Sequence, residues 1–147
     1  MDLVLWRHCE AAPGVPDDAR PLTPRGVAQA KAMATWLAQR LPRNCRILVS
    51  PALRAQQTAR AFGHDFETTA DVGTATTAPA LLTAVGWPDA GEDVLVVGHQ
   101  PTLGEVASLL LEGDAAGRSV GTGAVLWLSS ARDGGAVLRI AIAPDRG

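Results

Sequence analysis

The side chains best suited to chemistry stand at the ends of apolar runs. "LVLWRHCEA", Leu3 to Ala11, closes one run with Arg7, His8 and Cys9. "RILVSPALRAQQTA" closes another at Ser50 and sets Arg54 at the start of the following segment. "DVLVVGHQP" ends a third at Gly98 and His99. A guanidinium fork grips two oxygens of an oxyanion at once. A neutral imidazole serves as a nucleophile or as a hydrogen-bond donor. Taken singly, an arginine after a strand is a solvated surface residue and a histidine at a strand end is structural. Two forks and two rings on one edge are another matter. They suit a dianionic phosphoryl group, and nothing about them suits a cation.

Other chemistries fit less well. A cysteine phosphatase follows its thiolate with a phosphate loop closed by an arginine. The places that would hold that arginine are Val15, counted from Cys9, and Pro51, counted from Cys45. A zinc site needs short-range ligand pairs, and His8, Cys9, Cys45, His64 and His99 contain no CxxC or HxxxH spacing, so no metal is expected. The GxxxxGK[ST] phosphate loop is absent, and "GHQPTLG" is not GxGxxG. Cys9 therefore reads as a small side chain in a tight turn.

The elements that must position these residues are legible from spacing. Asp2 to Arg7, Ile47 to Val49 and the run before Gly98 are continuous apolar stretches, as expected of strands buried on both faces. Glu10 to Leu22 is a loop rich in proline, glycine and aspartate. A helix follows, capped by Thr23 with Pro24 in its first position, lined by Val27, Ala30, Ala34, Leu37 and Leu41, and ended by Pro42. Ser50 is expected to cap a second helix with Pro51 at its start and Gly63 as its stop. Phe66 to Thr69 reads as an edge strand and Pro79 to Val85 as a short helix. A proline-started helix at Pro101 runs to Gly113, and "GAVLWLSS" and "AVLRIAIA" form a hairpin through "ARDGG". Alternating strands and helices predict a mainly parallel α/β sheet covered on both sides. Ligands bind beyond the carboxyl ends of such strands, where Arg7, His8, Ser50, Arg54 and His99 fall. The helix starts near Pro51 and Pro101 add partial positive charge there.

Bulk properties narrow the class. A chain of 147 residues is expected to form one compact domain over 1–147. A net charge of −2 argues against a nucleic-acid surface. No apolar run is long enough for a membrane span, and no basic start precedes an apolar leader. Two cysteines make no disulfide framework, so a reducing, cytoplasmic compartment is expected.

Four pieces in order, "RHC", "RPLTPRG", "SPALRAQQTA" and "GHQP", resemble the histidine phosphatase superfamily, whose nucleophile is the histidine of an RHG motif. The short length and "LWRHCEA…RPLTPRGVAQA" look most like its SixA-type phosphohistidine phosphatases. The resemblance implies a phosphoglycerate mutase-like fold, a three-layer α/β/α sandwich around a six-stranded mixed sheet. It implies that His8 accepts the phosphoryl group, that Arg7 and Arg54 clamp its oxygens and that His99 donates to them. No cofactor is implied, because the arginines neutralise the charge. Two neighbouring cations are expected to keep His8 unprotonated and nucleophilic. The implied substrate is a phosphohistidine-bearing protein, with neither nucleic acid nor membrane as partner.

Two departures from the family pattern stand out. Cys9 occupies the usual glycine place, where a backbone needing positive φ would be disturbed. Many relatives carry a carboxylate as general acid after the third strand, and that stretch here, "TAPALLTAV" near Ala80, has none. An alkoxide needs a proton donor to leave, whereas an imidazole can be protonated first and depart neutral. The gap therefore fits a P–N substrate better than a P–O one. Glu10, Asp17 and Asp18 are the substitute donors on the first loop, and Arg20 could reach the rim with Ser50. The alternatives are a small-molecule phosphomonoesterase using one of those carboxylates and a non-catalytic phosphate-binding module. A mutase would need a hold on a second phosphate, for which little sequence remains.

Overall fold

The computed structural model describes residues 1–144, so the last three residues of the 1–147 span lie outside the described residues. The order is β1 (Asp2–Arg7), α1 (Pro24–Ala38), β2 (Arg46–Val49), α2 (Leu53–Arg60), β3 (Glu67–Thr68), α3 (Ala78–Val85), β4 (Val94–Gly98), α4 (Thr102–Glu112), β5 (Val125–Ser130) and β6 (Ala136–Ile142). Short 3-10 turns lie at Asp17–Ala19 and Ala70–Val72. The strands form one sheet ordered β3-β2-β4-β1-β5-β6. The pairs β3–β2, β2–β4 and β4–β1 are parallel, while β1–β5 and β5–β6 are antiparallel.

The central strands separate two cores. Leu3, Leu5, Val94 and Val96 pack with α3 and α4 on one face. Val4, Trp6, Leu95 and Val97 pack with α1 and α2 on the other. Successive residues thus point into opposite cores, which is why these strands carry unbroken apolar runs. The result is the expected three-layer α/β/α arrangement around a mixed, mainly parallel sheet. In β6 the register slips: Ile140 pairs with Trp127 but Leu138 with Leu128, leaving Arg139 as an extra residue. The bulge turns Leu138 toward the first core and Ile140 toward the second.

Local signals place most boundaries, and tertiary contact moves the rest. Thr23 caps α1 by accepting the Gly26 N–H at 3.0 Å, as expected. The buried stripe of α1 is Gly26, Ala30, Met33, Ala34 and Leu37, whereas Val27 is exposed. The stripe is rotated because Gly26 must meet the first loop: a Cβ there would lie 2.0 Å from the Glu10 carbonyl oxygen. The helix ends at Ala38, before Pro42, and the chain leaves through N–H bonds from Arg40 and Leu41 to the Leu37 carbonyl. Ser50 does not cap α2, which starts at Leu53 with Ala52 at the cap position. Its hydroxyl is directed to His99 instead. Gly113 ends α4 in the left-handed conformation at φ 83, as its place predicts.

Candidate active site

Parallel pairing brings the three predicted strand ends together. The His8 N–H donates to the Gly98 carbonyl at 3.1 Å, and the Ser50 N–H to the Val97 carbonyl at 3.1 Å. β1 and β2 therefore flank β4, and Arg7, His8, Ser50 and His99 share one edge. The first turn of α2 adds Arg54. Arg7, His8, Arg54 and His99 all line one polar cavity of about 550 Å³, whose walls also include Glu10, Asp17, Arg20, Thr74, Gln100 and Thr122. The His8 and His99 ring centroids are 5.2 Å apart.

Each ring is oriented by an oxygen. His8 Nδ1 lies 2.8 Å from the Cys9 carbonyl oxygen. A carbonyl only accepts, so Nδ1 carries the proton and Nε2 keeps its lone pair. His99 Nε2 lies 2.7 Å from Ser50 Oγ. Burial holds both rings neutral: the pKa of His8 falls to about 3, with His99, Arg54 and Arg7 adding smaller depressions. That of His99 falls to about 4, again chiefly by burial and then by Arg54. The expectation that neighbouring cations keep His8 neutral is corrected in its order, because removal from water outweighs them.

The arginines are anchored from behind. Arg7 Nη1 donates to the Val120 carbonyl at 2.8 Å. Arg54 donates through Nη1 to the Asp17 carbonyl at 2.7 Å and through Nη2 to the Asp17 carboxylate at 2.9 Å. The Nε atoms of Arg7 and Arg54 and Nδ1 of His99 are buried side-chain nitrogens without a hydrogen-bond partner among the described residues. Two guanidinium groups and two neutral imidazoles lining one cavity suit an oxyanion. Among the described residues no three His, Cys, Asp or Glu side chains are grouped to hold a metal ion.

The first-loop carboxylates are all engaged. Asp17 pairs with Arg20 at 2.9 Å as well as with Arg54, and these bonds, Arg20 first, hold its carboxyl below the usual range. A carboxylate held ionised is a poor proton donor, which weighs against the expectation for Asp17. Asp18 accepts from the Thr74 hydroxyl at 3.2 Å, joining the first loop to the segment before α3, and it is not part of the cavity wall. Glu10 lines the cavity, but its carboxylate accepts the Thr23 hydroxyl at 2.8 Å at the start of α1. Arg20 does reach the wall, held by the Ala12 carbonyl at 2.8 Å. Ser50 does not: it is fully buried behind His99 and is no part of the rim. The segment before α3 reaches the cavity through Thr74, while Ala80 is exposed on α3.

Cys9 sits in the turn without positive φ, since no non-glycine residue among the described residues adopts it. Its thiol is fully buried, and burial pushes its pKa up to about 12, so it is neither thiolate nor nucleophile. Its N–H donates to Thr58 Oγ1 at 3.0 Å, and that hydroxyl donates to the Arg54 carbonyl at 2.8 Å. Thr58 thus ties the His8 turn to the helix that carries Arg54. Gln57 accepts the Leu22 N–H at 2.7 Å and Gln29 the Glu10 N–H at 3.0 Å, pinning the first loop at both ends. Spacing along the chain assigns none of these three a role. For Gln57 and Thr58 a signal exists, since "QQT" places polar groups where α2 turns inward; Gln29, on α1, has none.

Comparison with known proteins agrees with this geometry. The family model for the histidine phosphatase superfamily (branch 1) matches residues 3–75. The phosphohistidine phosphatase SixA of Escherichia coli (strain K12) is 32% identical over 127 residues, covering 78% of this chain and 76% of that protein. A solved structure of the protein histidine phosphatase SixA complexed with tungstate superposes with a TM-score of 0.85 at 26% identity, covering 98% of this chain and 97% of the other. The alpha-ribazole phosphatase from Shigella flexneri shares the fold, with a TM-score of 0.77 at 19% identity over 96% of each chain. The chain belongs to the histidine phosphatase superfamily. Within that class it is a SixA-like histidine phosphatase, with the phosphoglycerate mutase-like fold.

Proposed function

We propose that the protein removes the phosphoryl group from phosphohistidine on a partner protein through a covalent intermediate on His8. The observation that carries this reading is the His8 ring, with Nδ1–H held by the Cys9 carbonyl and Nε2 unprotonated, beside Arg7, Arg54 and His99. The Nε2 lone pair forms a bond to phosphorus as the P–N bond to the substrate imidazole breaks. The leaving imidazole, protonated on its other nitrogen, departs neutral. The phosphorylated His8 ring, carrying phosphorus on Nε2 and hydrogen on Nδ1, is itself a good leaving group. Water then attacks phosphorus, the Nε2–P bond breaks and dihydrogen phosphate leaves. Arg7, Arg54 and His99 hold the phosphoryl oxygens, and such positioning with charge stabilisation supplies most of what phosphoryl transfer requires. Both steps expel a neutral imidazole, so neither calls on a metal ion or a carboxylic acid. The engaged state of Asp17, Asp18 and Glu10 fits a P–N substrate for that reason.

The relatives support the reading. One is a phosphohistidine phosphatase, and a solved one binds tungstate, a tetrahedral oxyanion shaped like phosphate. We read residues 1–147 as one catalytic domain acting in the cytoplasm, where Cys9 and Cys45 stay reduced; no helix among the described residues is long and apolar enough to cross a membrane. A small-molecule phosphomonoesterase is the second reading, favoured by the presence of Glu10 among the residues lining the cavity. Mixing the protein with a radiolabelled phosphohistidine protein, then quenching, tests the first. Label that is acid-labile, alkali-stable and lost in His8→Ala is expected. Phosphate binding without labelling would leave only a binding module, and much faster turnover of sugar phosphates would favour the second reading.

A further inference from the structure

We propose that Ser50 is a positioning residue that sets the tautomer of His99, so that this ring presents Nδ1–H to the phosphoryl group. Ser50 directly follows β2 and is fully buried. Its Oγ accepts the Ala52 N–H at 3.2 Å and lies 2.7 Å from His99 Nε2. The Ala52 N–H can only donate, so it takes an acceptor position on Oγ and leaves the hydroxyl proton free. The Ser50 hydroxyl has no acceptor other than Nε2 among the described residues. An unmatched hydroxyl proton in a site closed to water is costly. The proton therefore points at Nε2, Nε2 accepts, and the neutral ring carries its hydrogen on Nδ1.

The opposite tautomer fails twice. Nε2–H would donate to Ser50 and strand the hydroxyl proton. It would also leave a bare lone pair on Nδ1, the atom that is buried and unpaired in the protein, and a lone pair repels phosphoryl oxygens. Both histidines thus carry the hydrogen on Nδ1, but the partner behind each ring engages a different nitrogen. A carbonyl at His8 puts the proton on Nδ1 and frees Nε2 to attack. A hydroxyl at His99 takes Nε2 and leaves Nδ1–H to donate. The loss of basicity by burial keeps His99 in this neutral, tautomerically selected form at physiological pH.

The role of Nδ1–H rests on the phosphoryl-site reading; the tautomer does not. Long-range proton–nitrogen correlation spectra of the intact, nitrogen-15-labelled chain report the tautomer without ligand or turnover. The expected wild-type spectrum has His99 Nδ1 protonated and Nε2 bare. Ser50→Ala is expected to lose that preference and to bind inorganic phosphate on the order of tenfold more weakly, with Ser50→Thr restoring both. A wild-type spectrum with Nε2 protonated overturns the proposal even if Ser50→Ala does not fold. Retention of the same tautomer and phosphate affinity in a folded Ser50→Ala overturns it as well. Failure of the wild type to bind inorganic phosphate would overturn the phosphoryl-site reading, and with it the donor role, separately from the tautomer.

Discussion

Lowering the pH from about 7.5 to about 5 should weaken the fold through His8 and His99 by an amount the structure sets. Both rings are almost fully buried, at 6% and 5% exposure, and their pKa values of about 3 and about 4 lie well below the ordinary 6.5. In this window the unfolded chain binds protons that the folded chain refuses. Stability contributed by the neutral rings is complete above the ordinary imidazole value and is lost as pH falls toward the folded values. At about pH 5 the loss is about 2 kcal/mol for each ring and about 4 kcal/mol for both, a figure that depends only on the folded values staying below the test pH. That is a large share of the roughly 5–15 kcal/mol by which domains are stable. Asp17, held low by Arg20 and Arg54, and Glu67, held low by Arg46, stay ionised across this window and do not confound it. Guanidinium denaturation followed by tryptophan fluorescence measures the change, and the His8→Gln, His99→Gln double variant should lose most of it. An unchanged wild-type midpoint, or an equal loss in the double variant, would refute the claim that these imidazoles are buried neutral. Catalysis should follow the same logic, with no rise in activity through the ordinary imidazole pKa as His8 deprotonates, since it is already the free base there.

Other perturbations probe the supports of the site. Thr58→Val removes the acceptor of the buried Cys9 N–H and should cost about 1–3 kcal/mol, read by denaturation, with a larger fall in kcat than its stability loss explains. Gly26→Ala would drive a Cβ to 2.0 Å from the Glu10 carbonyl oxygen, so it should destabilise the fold by about 1–3 kcal/mol or more and displace the first loop; unchanged thermal stability would show that the loop gives way freely. Asp17→Asn removes an anion that competes with phosphoryl oxygens for Arg54, and calorimetry should show tighter binding of inorganic phosphate; weaker binding would mean that Asp17 chiefly aims the arginine. Cys9, raised to about 12 by burial, should resist thiol reagents at neutral pH until the chain unfolds, and labelling kinetics with and without denaturant check this.

Much of this architecture is local and could be read along the chain. The unbroken apolar runs of β1 and β4, the Thr23–Pro24 start of α1 and the Gly113 stop of α4 are each signalled within a few residues of sequence. The convergence of Arg7, His8, Arg54 and His99 on one cavity was also legible, because parallel α/β pairing sends all strand ends to the same edge. What the chain could not announce is which partner each polar group would choose. The rotation of α1 that exposes Val27 is set by the approach of Gly26 to Glu10, a contact between segments that only packing brings together. Ser50 has the composition of a helix cap yet turns its hydroxyl to His99, far along the chain, and Asp17 looks like a proton donor yet lies between two arginines. Propensity and periodicity act over a turn or two of backbone, whereas burial, tautomer and ion pairing depend on neighbours in space. The residues that could carry the chemistry were therefore visible in the sequence, and the protonation state and orientation that equip them for it came from the tertiary structure.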